Sequence, residues 1–413
     1  MIKIILKFVL KIFFYIIYIL HTLLGIFLII RIMPVDFTRI GGAYILIWGQ
    51  LIRGNQKKRN TTLDIYFYYR NKKICNYFWF NKLNKYIYDG FLIYFLLLYY
   101  RFLKKNIRNN KFLIDNLCIP INSKDYFLCK NNTNSKNKIK YNNNLKKIVN
   151  SEKKLFDLSF DEINTGNKYL DKYKIDNKNF ICLHNRDNYY LNKNLPTIDW
   201  SYHNYRDSKI EDYEKTSFWL ENNNFKVLRM GKGASKEISY KSKNIIDYAN
   251  SNETSDLLDI FLLKNCKFLI SSDTGITIVP EIFDVPILYT NWILIHRLPR
   301  YCRNCIVIFK KIYSNNKKRF LNLTEMIELD LGPQNSLDII KNNNLKIIDN
   351  SPNEILDATI ELNKRIEGIW KSSNEEDDLQ NKFWNIFGKN YYRSQNFFIG
   401  TNFLKENSNL FFD

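Results

Sequence analysis

Three segments in the second half of the chain combine a short apolar run with a polar end: FICLHNRD at 180–187, FKVLRMGKG at 225–233 and FLISSDTG at 268–275. Short apolar runs bounded by turn-forming residues are typical of buried strands. Amphipathic segments at 207–220 and 255–263 lie between them, and each opens on a pair suited to a helix start, Asp-Ser or Ser-Asp. The alternation of strand and helix predicts an α/β fold with a parallel, doubly wound sheet.

The rest of the chain predicts a second unit, a linker and terminal helices. Met33–Thr38, the Arg-Ile-Gly-Gly stretch at 39–42 and Leu63–Tyr69 are consistent with a similar strand-helix-strand unit near the start. An Asn- and Lys-rich segment at 130–153 has no apolar period and predicts a linker. Ser-Pro-Asn-Glu at 351–354 is a capping box with proline at the first helical position, so apolar helical stripes are expected behind it.

Residues 12–30 carry no charge over 19 positions, enough to cross a hydrocarbon layer of roughly 30 Å as a helix. Lys3, Lys7 and Lys11 precede this run at four-residue spacing, so they share one helical face. That face favours a helix lying among lipid headgroups, which keeps the chain on the cytoplasmic side of the inner membrane. A crossing helix and a buried core helix are the alternatives. A second apolar run, Phe91–Tyr100, is too short to span and predicts a core helix.

Composition limits the classes of partner and cofactor. The chain has 413 residues, a length that fits two domains, and 62 Lys and Arg against 41 Asp and Glu give a net charge of +21. A basic nucleic-acid-associated protein is one interpretation of that charge, but no block of the chain is typical of a nucleic-acid module, so no nucleic-acid partner is predicted. Seven cysteines with a single Cys-x-x-Cys, at 302–305, and four histidines predict neither a disulfide framework nor a metal site.

The ends of the predicted strands are where a ligand is expected, because open α/β sheets bind ligands beyond the carboxyl ends of their strands. Arg186 follows the first strand, and its planar fork suits a diphosphate. Arg229 and Gly231 follow the second. Ser271–Gly275 follows the third as a hydroxyl-lined helix start, as a phosphate requires. A salt bridge, a plain turn and an ordinary helix cap are the structural alternatives for these three places.

Missing motifs narrow the chemistry. The chain has no Gly-x-Gly-x-x-Gly, no P-loop, no Gly-x-Ser-x-Gly and no His-Glu-x-x-His, which argues against dinucleotide oxidoreductases, P-loop NTPases, common serine hydrolases and zinc proteases. It also has no Asp-x-Asp, so a sugar transferase built on a chelated metal is not expected. A transferase that offsets diphosphate charge with arginine and backbone N–H groups remains, and it needs no cofactor.

Several segments together resemble a largely uncharacterised family of bacterial glycosyltransferases. They are FICLHNRD at 180–187, YRD at 205–207, SSDTG at 271–275 and PEIFDVP at 280–286, in that order and spacing. The resemblance covers most of the chain apart from the first 35 residues and the linker. It implies a GT-B arrangement, in which two Rossmann-like domains face each other across a cleft and the second holds the nucleotide-sugar. The domains expected are 1–33 as the hydrophobic helix, 34–150 on the acceptor side, 151–345 on the donor side, and 346–413 as helices packing back across both.

The resemblance also implies roles for individual residues. His184-x-Arg186 is similar to the strand-end arginine loop of fucosyltransferase-type enzymes, and the 271–275 loop is similar to the donor loop of heptosyltransferase-like enzymes. The substrates implied are a nucleoside-diphosphate sugar and a glycan or lipid-linked glycan acceptor, as in cell-envelope polysaccharide synthesis. By position, Asp187 and Asp207 are candidate bases. The residues expected at the site are Arg186, Asp187 and Asp207 for catalysis, His184, Arg186, Arg229, Gly231, Ser271, Ser272, Asp273, Thr274 and Gly275 for the donor, and Arg39, Gly41 and Gly42 on the acceptor side.

One departure from the family pattern concerns the first loop. The family tends to have Arg-Ile-Gly-His there, and this chain has Gly42 in place of the histidine. If that histidine were the catalytic base, this chain would be impaired or would use another group. The departure favours an alternative, a catalytically inactive, membrane-associated module of the same fold that binds a sugar or nucleotide.

Overall fold

The computed structural model describes residues 2–25, 27–54, 62–106, 150, 155–176, 178–240, 242–295, 298–329, 331–332, 336–387, 394 and 396–412. The chain divides into two compact units, Met1–Leu128 and Cys129–Asp413. Apart from Asn150, the predicted linker at 130–153 lies outside the described residues. Elements are numbered below in chain order along the described residues.

The first unit contains the predicted strand-helix-strand motif. Strand β1 pairs in parallel with β2, with Ile29 opposite Thr62 and Val35 opposite Tyr68. A parallel pair needs a crossover connection, and the helix between the two strands supplies it. The elements of this unit are α1 Ile2–Leu24, β1 Ile29–Val35, α2 Tyr44–Gly54, β2 Thr62–Tyr68, α3 Tyr77–Leu83 and α4 Ile93–Asn106, with 3-10 helices at Ile40–Ala43 and Asn84–Tyr86.

The N-terminal apolar helix is present but shorter than the predicted 1–33 segment. Its stretch Ile5–Leu24 is long and apolar enough to cross a membrane, and only 6% of it is buried within the protein. The helix ends at Leu24, and Ile29 and Ile30 belong to β1. The prediction of one uninterrupted apolar helix was therefore wrong at its end, because pairing with β2 draws the last residues of the uncharged run into the sheet.

The second apolar run is confirmed as a helix with a packed face. In α4, Leu96, Tyr99 and Leu103 are buried in one cluster with Phe14 of α1 and Phe67 of β2. The 3.6-residue period places these α4 positions on one side of the helix, so that side is the core of the first unit.

The second unit is built on a seven-stranded sheet with the order β12-β8-β7-β6-β3-β4-β5, and every pairing in it is parallel. Its strands are β3 Phe180–His184, β4 Lys226–Arg229, β5 Ile245–Ile246, β6 Leu269–Ser271, β7 Ile287–Trp292, β8 Cys305–Phe309 and β12 Phe397–Ile399. The helices are α5 Phe160–Lys172, α6 Tyr189–Asn194, α7 Glu214–Asn222, α8 Asp256–Asn265, α9 Ile278–Ile282, α10 Leu323–Glu328, α11 Ser336–Asn342, α12 Pro352–Ile366, α13 Asn374–Ile386, α14 Thr401–Glu406 and α15 Ser408–Phe412.

The strand order confirms the doubly wound prediction. From β3 the chain moves outward to β4 and β5, then returns to place β6 on the other side of β3 and continues to β7 and β8. The direction of winding reverses between β3 and β6, which makes this pair the topological switch point of the sheet. The strands predicted from the apolar runs at 180–184, 225–229 and 268–270 are β3, β4 and β6, with boundaries shifted by at most one residue.

The carboxy-terminal helices pack within the second unit. The Ser351 hydroxyl accepts from the Glu354 N–H at 3.2 Å, the expected capping box, and Ile355 and Leu362 of α12 are fully buried. The helix behind this capping box, α12, ends at Ile366. Strands β9 Lys311–Ser314, β10 Arg319–Phe320 and β11 Leu345–Ile348 form a small antiparallel sheet in the order β10-β9-β11.

Candidate functional site

Two of the predicted loops meet at the switch point. His184 at the end of β3 lies opposite Ser271 at the end of β6. Beyond the strands the loops remain bonded to each other, since the Ser272 N–H donates to the His184 carbonyl at 3.2 Å and the Arg186 N–H donates to the Ser272 hydroxyl at 2.8 Å. The segments 184–187 and 271–275, identified separately in the sequence, therefore form one structure at the place where such sheets bind ligands.

Arg186 is buried and paired. Its side chain is 8% exposed, its guanidinium forms an ion pair with Asp207, and Nη1 donates to the His203 carbonyl at 3.3 Å. Burial, reinforced by the neighbouring charge of Arg206, lowers the pKa of Arg186 to about 10, so the group stays charged at neutral pH. The structural ion pair that was the alternative for Arg186 is present, and Asp207, a candidate base, is its partner.

Two further cations that sequence reasoning missed lie beside Arg186. Arg206 donates to the Asp273 carbonyl at 2.6 Å and to Asp273 Oδ1 at 2.7 Å. Lys310 donates to the Asp207 carbonyl at 2.6 Å and pairs with Asp349 at 2.8 Å. Burial lowers the pKa of Lys310, and the charge of Arg186 lowers it further. Lys310 directly follows β8, so the strand-end rule that found Arg186 could have found it.

Arg186 and Lys310 share one arrangement, in which the carboxylate is the more exposed partner, whereas Asp273 is slightly less exposed than Arg206. Asp207 is 27% exposed against 8% for Arg186, and Asp349 is 31% exposed against 3% for Lys310. Burying a charge is costly unless it is paired, which explains why the protein supplies its own carboxylates. An anion approaching from solvent would reach either cation by taking the place of its carboxylate.

Arg229 and Gly231 hold the neighbouring loop. Arg229 is 2% exposed and donates to Asn185 Oδ1 at 3.2 Å and to the Lys236 carbonyl at 2.6 Å, so it ties the end of β4 to the loop after β3. Gly231 has a φ of +144°, which a residue with a side chain rarely adopts. A side-chain carbon there would also stand 3.9 Å from the His184 ring. Arg229 therefore fixes the loop after β3 relative to β4; its predicted contact with the donor stays a prediction, as does that of Gly231.

His184 is a neutral imidazole at the end of β3. Burial lowers its pKa to about 4, with the charges of Arg229 and Arg186 acting in the same direction and that of Asp187 opposing them. Its Nδ1 lies 3.5 Å from the Thr274 hydroxyl of the adjacent loop. At neutral pH the His184 imidazole can therefore donate a hydrogen bond to the Thr274 hydroxyl or accept one from it, but it adds no positive charge to the site.

The Asp187 carboxylate bridges two loops. Its Oδ1 accepts from the Tyr189 N–H at 3.1 Å, and its Oδ2 accepts from the Ser235 N–H at 2.9 Å and from the Ser235 hydroxyl at 3.0 Å. The residue is half-buried. A carboxylate has about four lone-pair positions, so these three bonds leave capacity for one more donor.

The loop at 271–275 divides into a buried and an open part. Ser271 and Ser272 are fully buried and link β6 to β3, whereas Thr274 is half-buried and Gly275 is exposed. The helix start expected here is a 3-10 turn, Gly275–Thr277, followed by the five-residue α9. Such short helices align few peptide dipoles, so the loop's own N–H groups and the buried cations must supply most of the attraction for an anion.

The predicted acceptor-side loop follows β1 in the first unit. Asp36 accepts from the Thr38 N–H at 3.0 Å and from the Thr38 hydroxyl at 2.7 Å, and it pairs with Arg39 at 3.3 Å. Burial raises the pKa of Asp36, but the bonds from Thr38 and the charge of Arg39 outweigh burial and lower it overall. A side-chain carbon on Gly42 would stand 1.9 Å from the Asp36 carbonyl oxygen. The loop therefore has no room for the histidine of the family pattern, and Gly41 and Gly42 lie in the 3-10 turn that leads to α2.

Comparison with known proteins gives weak likenesses. No family model matches the chain, and no curated protein matches it. It is similar to a glycosyl transferase family 9 structure from Veillonella parvula, with 10% identity over 63% of this chain and 79% of that one and a TM-score of 0.34. It is also similar to the ADP-heptose LPS heptosyltransferase II of E. coli, with 10% identity over 76% of this chain and 98% of that one and a TM-score of 0.37. Likeness at this level decides neither the activity nor the substrate of this chain.

The lowered pKa of His184 predicts a specific pH dependence of stability. An unfolded histidine titrates near 6.5 and the folded one at about 4, so the unfolded chain binds more protons between these values. The stability that neutral His184 contributes is complete above pH 6.5 and is lost as the pH falls toward 4. Denaturant unfolding of wild type and His184→Gln across this range should show their stability difference shrinking on acidification. A pH-independent difference would contradict the assignment.

The closed space at Gly42 predicts that a side chain there is destabilising. Gly42→Ala forces the Asp36 carbonyl to move, and overpacking of this kind typically costs about 1–3 kcal/mol. We expect a lower melting temperature for Gly42→Ala, and a still lower one for Gly42→His, without a gain in any activity. An unchanged melting temperature in both variants would show that the loop rearranges freely and that the position can hold the family histidine.

Proposed function

We propose that the protein is a glycosyltransferase that moves a sugar from a nucleoside-diphosphate sugar to a hydroxyl of a glycan or lipid-linked glycan. The observation that carries the proposal is a group of three cations at the switch point of the second unit's sheet. Arg186 and Lys310 are buried, and Arg206 is half-buried. Positive charge at that place suits a ligand whose constant part is a diphosphate.

In the proposed reaction the bond between the sugar and the diphosphate breaks, and the diphosphate gains negative charge. Arg186 is the expected donor-phosphate ligand, because its planar fork can bind two oxygens at once when the diphosphate replaces Asp207. Removing one such preorganised donor from a reacting site typically costs about 3 kcal/mol, or on the order of 100-fold in rate. Thr274 and Gly275, the open part of the neighbouring loop, are proposed to face the sugar-phosphate.

The protein is proposed to work without a metal ion or a cofactor. The chain contains no Asp-x-Asp, and the buried cations offer the charge compensation that a chelated metal would otherwise give. Three fixed positive groups can offset the two to three negative charges of a departing nucleoside diphosphate. Arg186 and Lys310 are already desolvated, so they interact strongly with an anion brought beside them.

A base must accept the proton of the acceptor hydroxyl, and Asp187 is our first candidate. Its carboxylate is half-buried and has one acceptor position left, whereas the Asp207 carboxylate is held by Arg186.

The loop of Arg39, Gly41 and Gly42 is proposed to serve the acceptor side. We place the reaction at the cytoplasmic face of a membrane, since the lysines before the apolar helix favour that side.

The second candidate function is a module that binds a nucleotide or sugar without transferring it. The observation that favours it is the closed loop at Gly42, which has no room for the family's histidine. Both functions require diphosphate binding at the switch point. They differ in turnover, since only the enzyme releases nucleoside diphosphate from a nucleotide-sugar. Incubating the protein with a panel of nucleotide-sugars and following that release by chromatography separates them.

The donor-site assignment predicts that Arg186→Lys weakens nucleotide binding. Lysine keeps the charge but loses the planar fork, so we expect affinity for nucleoside diphosphates to fall about 10-fold or more in calorimetric titrations with uridine, guanosine, cytidine and adenosine diphosphate. Alanine is a poorer probe, because it would also leave Asp207 without its ion-pair partner and so could lower affinity by disturbing the loop. Arg365→Lys is the matched control, since Arg365 is also a partly buried arginine in an ion pair, with Glu361 of α12. Unchanged affinity in Arg186→Lys would move the donor site elsewhere.

The base assignment predicts that Asp187→Asn separates turnover from binding. Asparagine keeps an acceptor for the Tyr189 N–H but cannot take a proton, so release of nucleoside diphosphate from the donor should fall about 100-fold or more. Nucleoside diphosphate affinity should stay near wild type. Ser235→Ala is the control, because it removes one bond to the same carboxylate and leaves its basicity in place. Equal losses in both variants would assign Asp187 a structural role.

A further inference from the structure

Helix α1 has two opposite faces that differ in how they contact the rest of the first unit. Residues seven apart lie on nearly the same side of a helix, so Lys7, Lys11, Phe14, Tyr18 and His21 form one stripe. Ile5, Ile12, Ile16, Ile19 and Leu23 form a second stripe, roughly 150° around the axis. The uncharged run suggests a uniformly apolar helix, but one stripe packs on the first unit and the other is exposed.

The first stripe is docked onto the first unit in its second half. The Phe14 ring packs on Phe95, Tyr99 and Phe102 of α4 at centroid distances of 5.8, 5.8 and 5.5 Å. The His21 imidazole lies 3.0 Å from the Tyr99 hydroxyl and 2.8 Å from the Ile30 carbonyl of β1. Both ends of these polar contacts are buried or half-buried, so the carboxyl end of α1 is fixed to α4 and to the sheet.

The second stripe is open along its whole length. Ile5, Ile12 and Ile19 are 55%, 46% and 55% exposed, and Ile16 and Leu23 are exposed as well. Exposed isoleucine and leucine over five turns form a contiguous apolar surface of the kind that marks an interaction site. The buried core helix considered from the sequence is excluded, since 6% of the stretch Ile5–Leu24 is buried.

The lysines of α1 indicate that its exposed apolar stripe contacts a lipid surface. Lys7 and Lys11 are exposed and lie on the docked stripe, away from the apolar stripe. An apolar face opposite lysines is the pattern of a helix lying in the boundary between headgroups and acyl chains. A crossing helix would have to take α4 and the start of β1 into the hydrocarbon with it, where the peptide groups of a two-stranded sheet edge have no partner.

We propose that α1 lies in the plane of an anionic bilayer and does not cross it. The stripe from Ile5 to Leu23 enters the acyl layer, Lys7 and Lys11 meet the headgroup phosphates, and Phe14 and His21 stay docked on the first unit. The helix then attaches this unit flat against the membrane surface. The inference goes beyond the proposed transferase function and does not depend on it.

The depth of three positions on the apolar stripe tests this orientation. Ile5→Cys, Ile12→Cys and Ile19→Cys, each labelled with an environment-sensitive fluorophore in the full chain, are added to vesicles of phosphatidylglycerol and phosphatidylcholine containing quenchers at defined depths. Labelled wild type gives the background from native cysteines. An in-plane helix places all three labels at the same shallow depth. A deep label at 12 with shallow labels at 5 and 19 would show a crossing helix, and no quenching together with a dimer in solution would show that a second copy covers the stripe; either outcome overturns the proposal.

The headgroup contact is tested separately by charge reversal. The double variant Lys7→Glu and Lys11→Glu should bind phosphatidylglycerol vesicles at least about 30-fold more weakly than wild type, because each lysine near an anionic surface contributes about five- to sixfold to the affinity and each glutamate adds repulsion. Both side chains are exposed, so the fold should be retained. Lys341→Glu with Lys371→Glu, two exposed lysines of the second unit, is the control of equal charge change and should bind as wild type does. If both double variants bound equally weakly, the loss of affinity would come from net charge alone, and the proposed contact of Lys7 and Lys11 with headgroups would be wrong.

Discussion

The pairing of β3 with β6 is the constraint on which the candidate site depends. The chain winds outward from β3 on one side and returns on the other, so the loops after these two strands leave the sheet side by side. The bonds from Ser272 to the His184 carbonyl and from the Arg186 N–H to the Ser272 hydroxyl then lock the loops together. Because Ser272 is fully buried, these bonds are shielded from water, and they fix where the Arg186 side chain begins.

The buried charges at this place are balanced within the protein. Unpaired, the buried Arg186 and Lys310 would each carry a large desolvation penalty, and the carboxylates of Asp207 and Asp349 offset it. The half-buried Arg206 is paired with Asp273 in the same way. Burial lowers the pKa of both Arg186 and Lys310, and the pKa of Arg186, about 10, leaves that group charged at neutral pH. Replacing a carboxylate by a diphosphate keeps each cation paired, whereas removing the carboxylate alone would leave a buried charge unpaired. The pairing that stabilises the site is therefore compatible with the proposed binding of a diphosphate.

In the first unit, the two sides of α1 differ in whether their packing and hydrogen bonds are satisfied within the protein. The Phe14 and His21 side of α1 satisfies its packing and hydrogen bonds inside the protein, and the Ile12 side satisfies none of them there. At the loop after β1, the Asp36 carbonyl fills the space in front of Gly42. Gly42 stands where the family pattern has a histidine, and the packing around it requires a residue without a side chain.

Much of the fold could be predicted from the sequence. Apolar runs and capping residues have local causes, so β3, β4, β6, α8 and α12 were recognisable, as were the strand-end residues His184, Arg186 and Thr274. Tertiary structure alone decided which carboxylate pairs with each cation, that Lys310 and Arg206 join Arg186, and that Ser271 and Ser272 are enclosed while Gly275 is open. It also ended α1 at Leu24 and gave that helix two faces. The physical reason is that period and propensity act between neighbours along the chain, whereas burial and charge pairing depend on residues brought together from 20 to more than 100 positions apart.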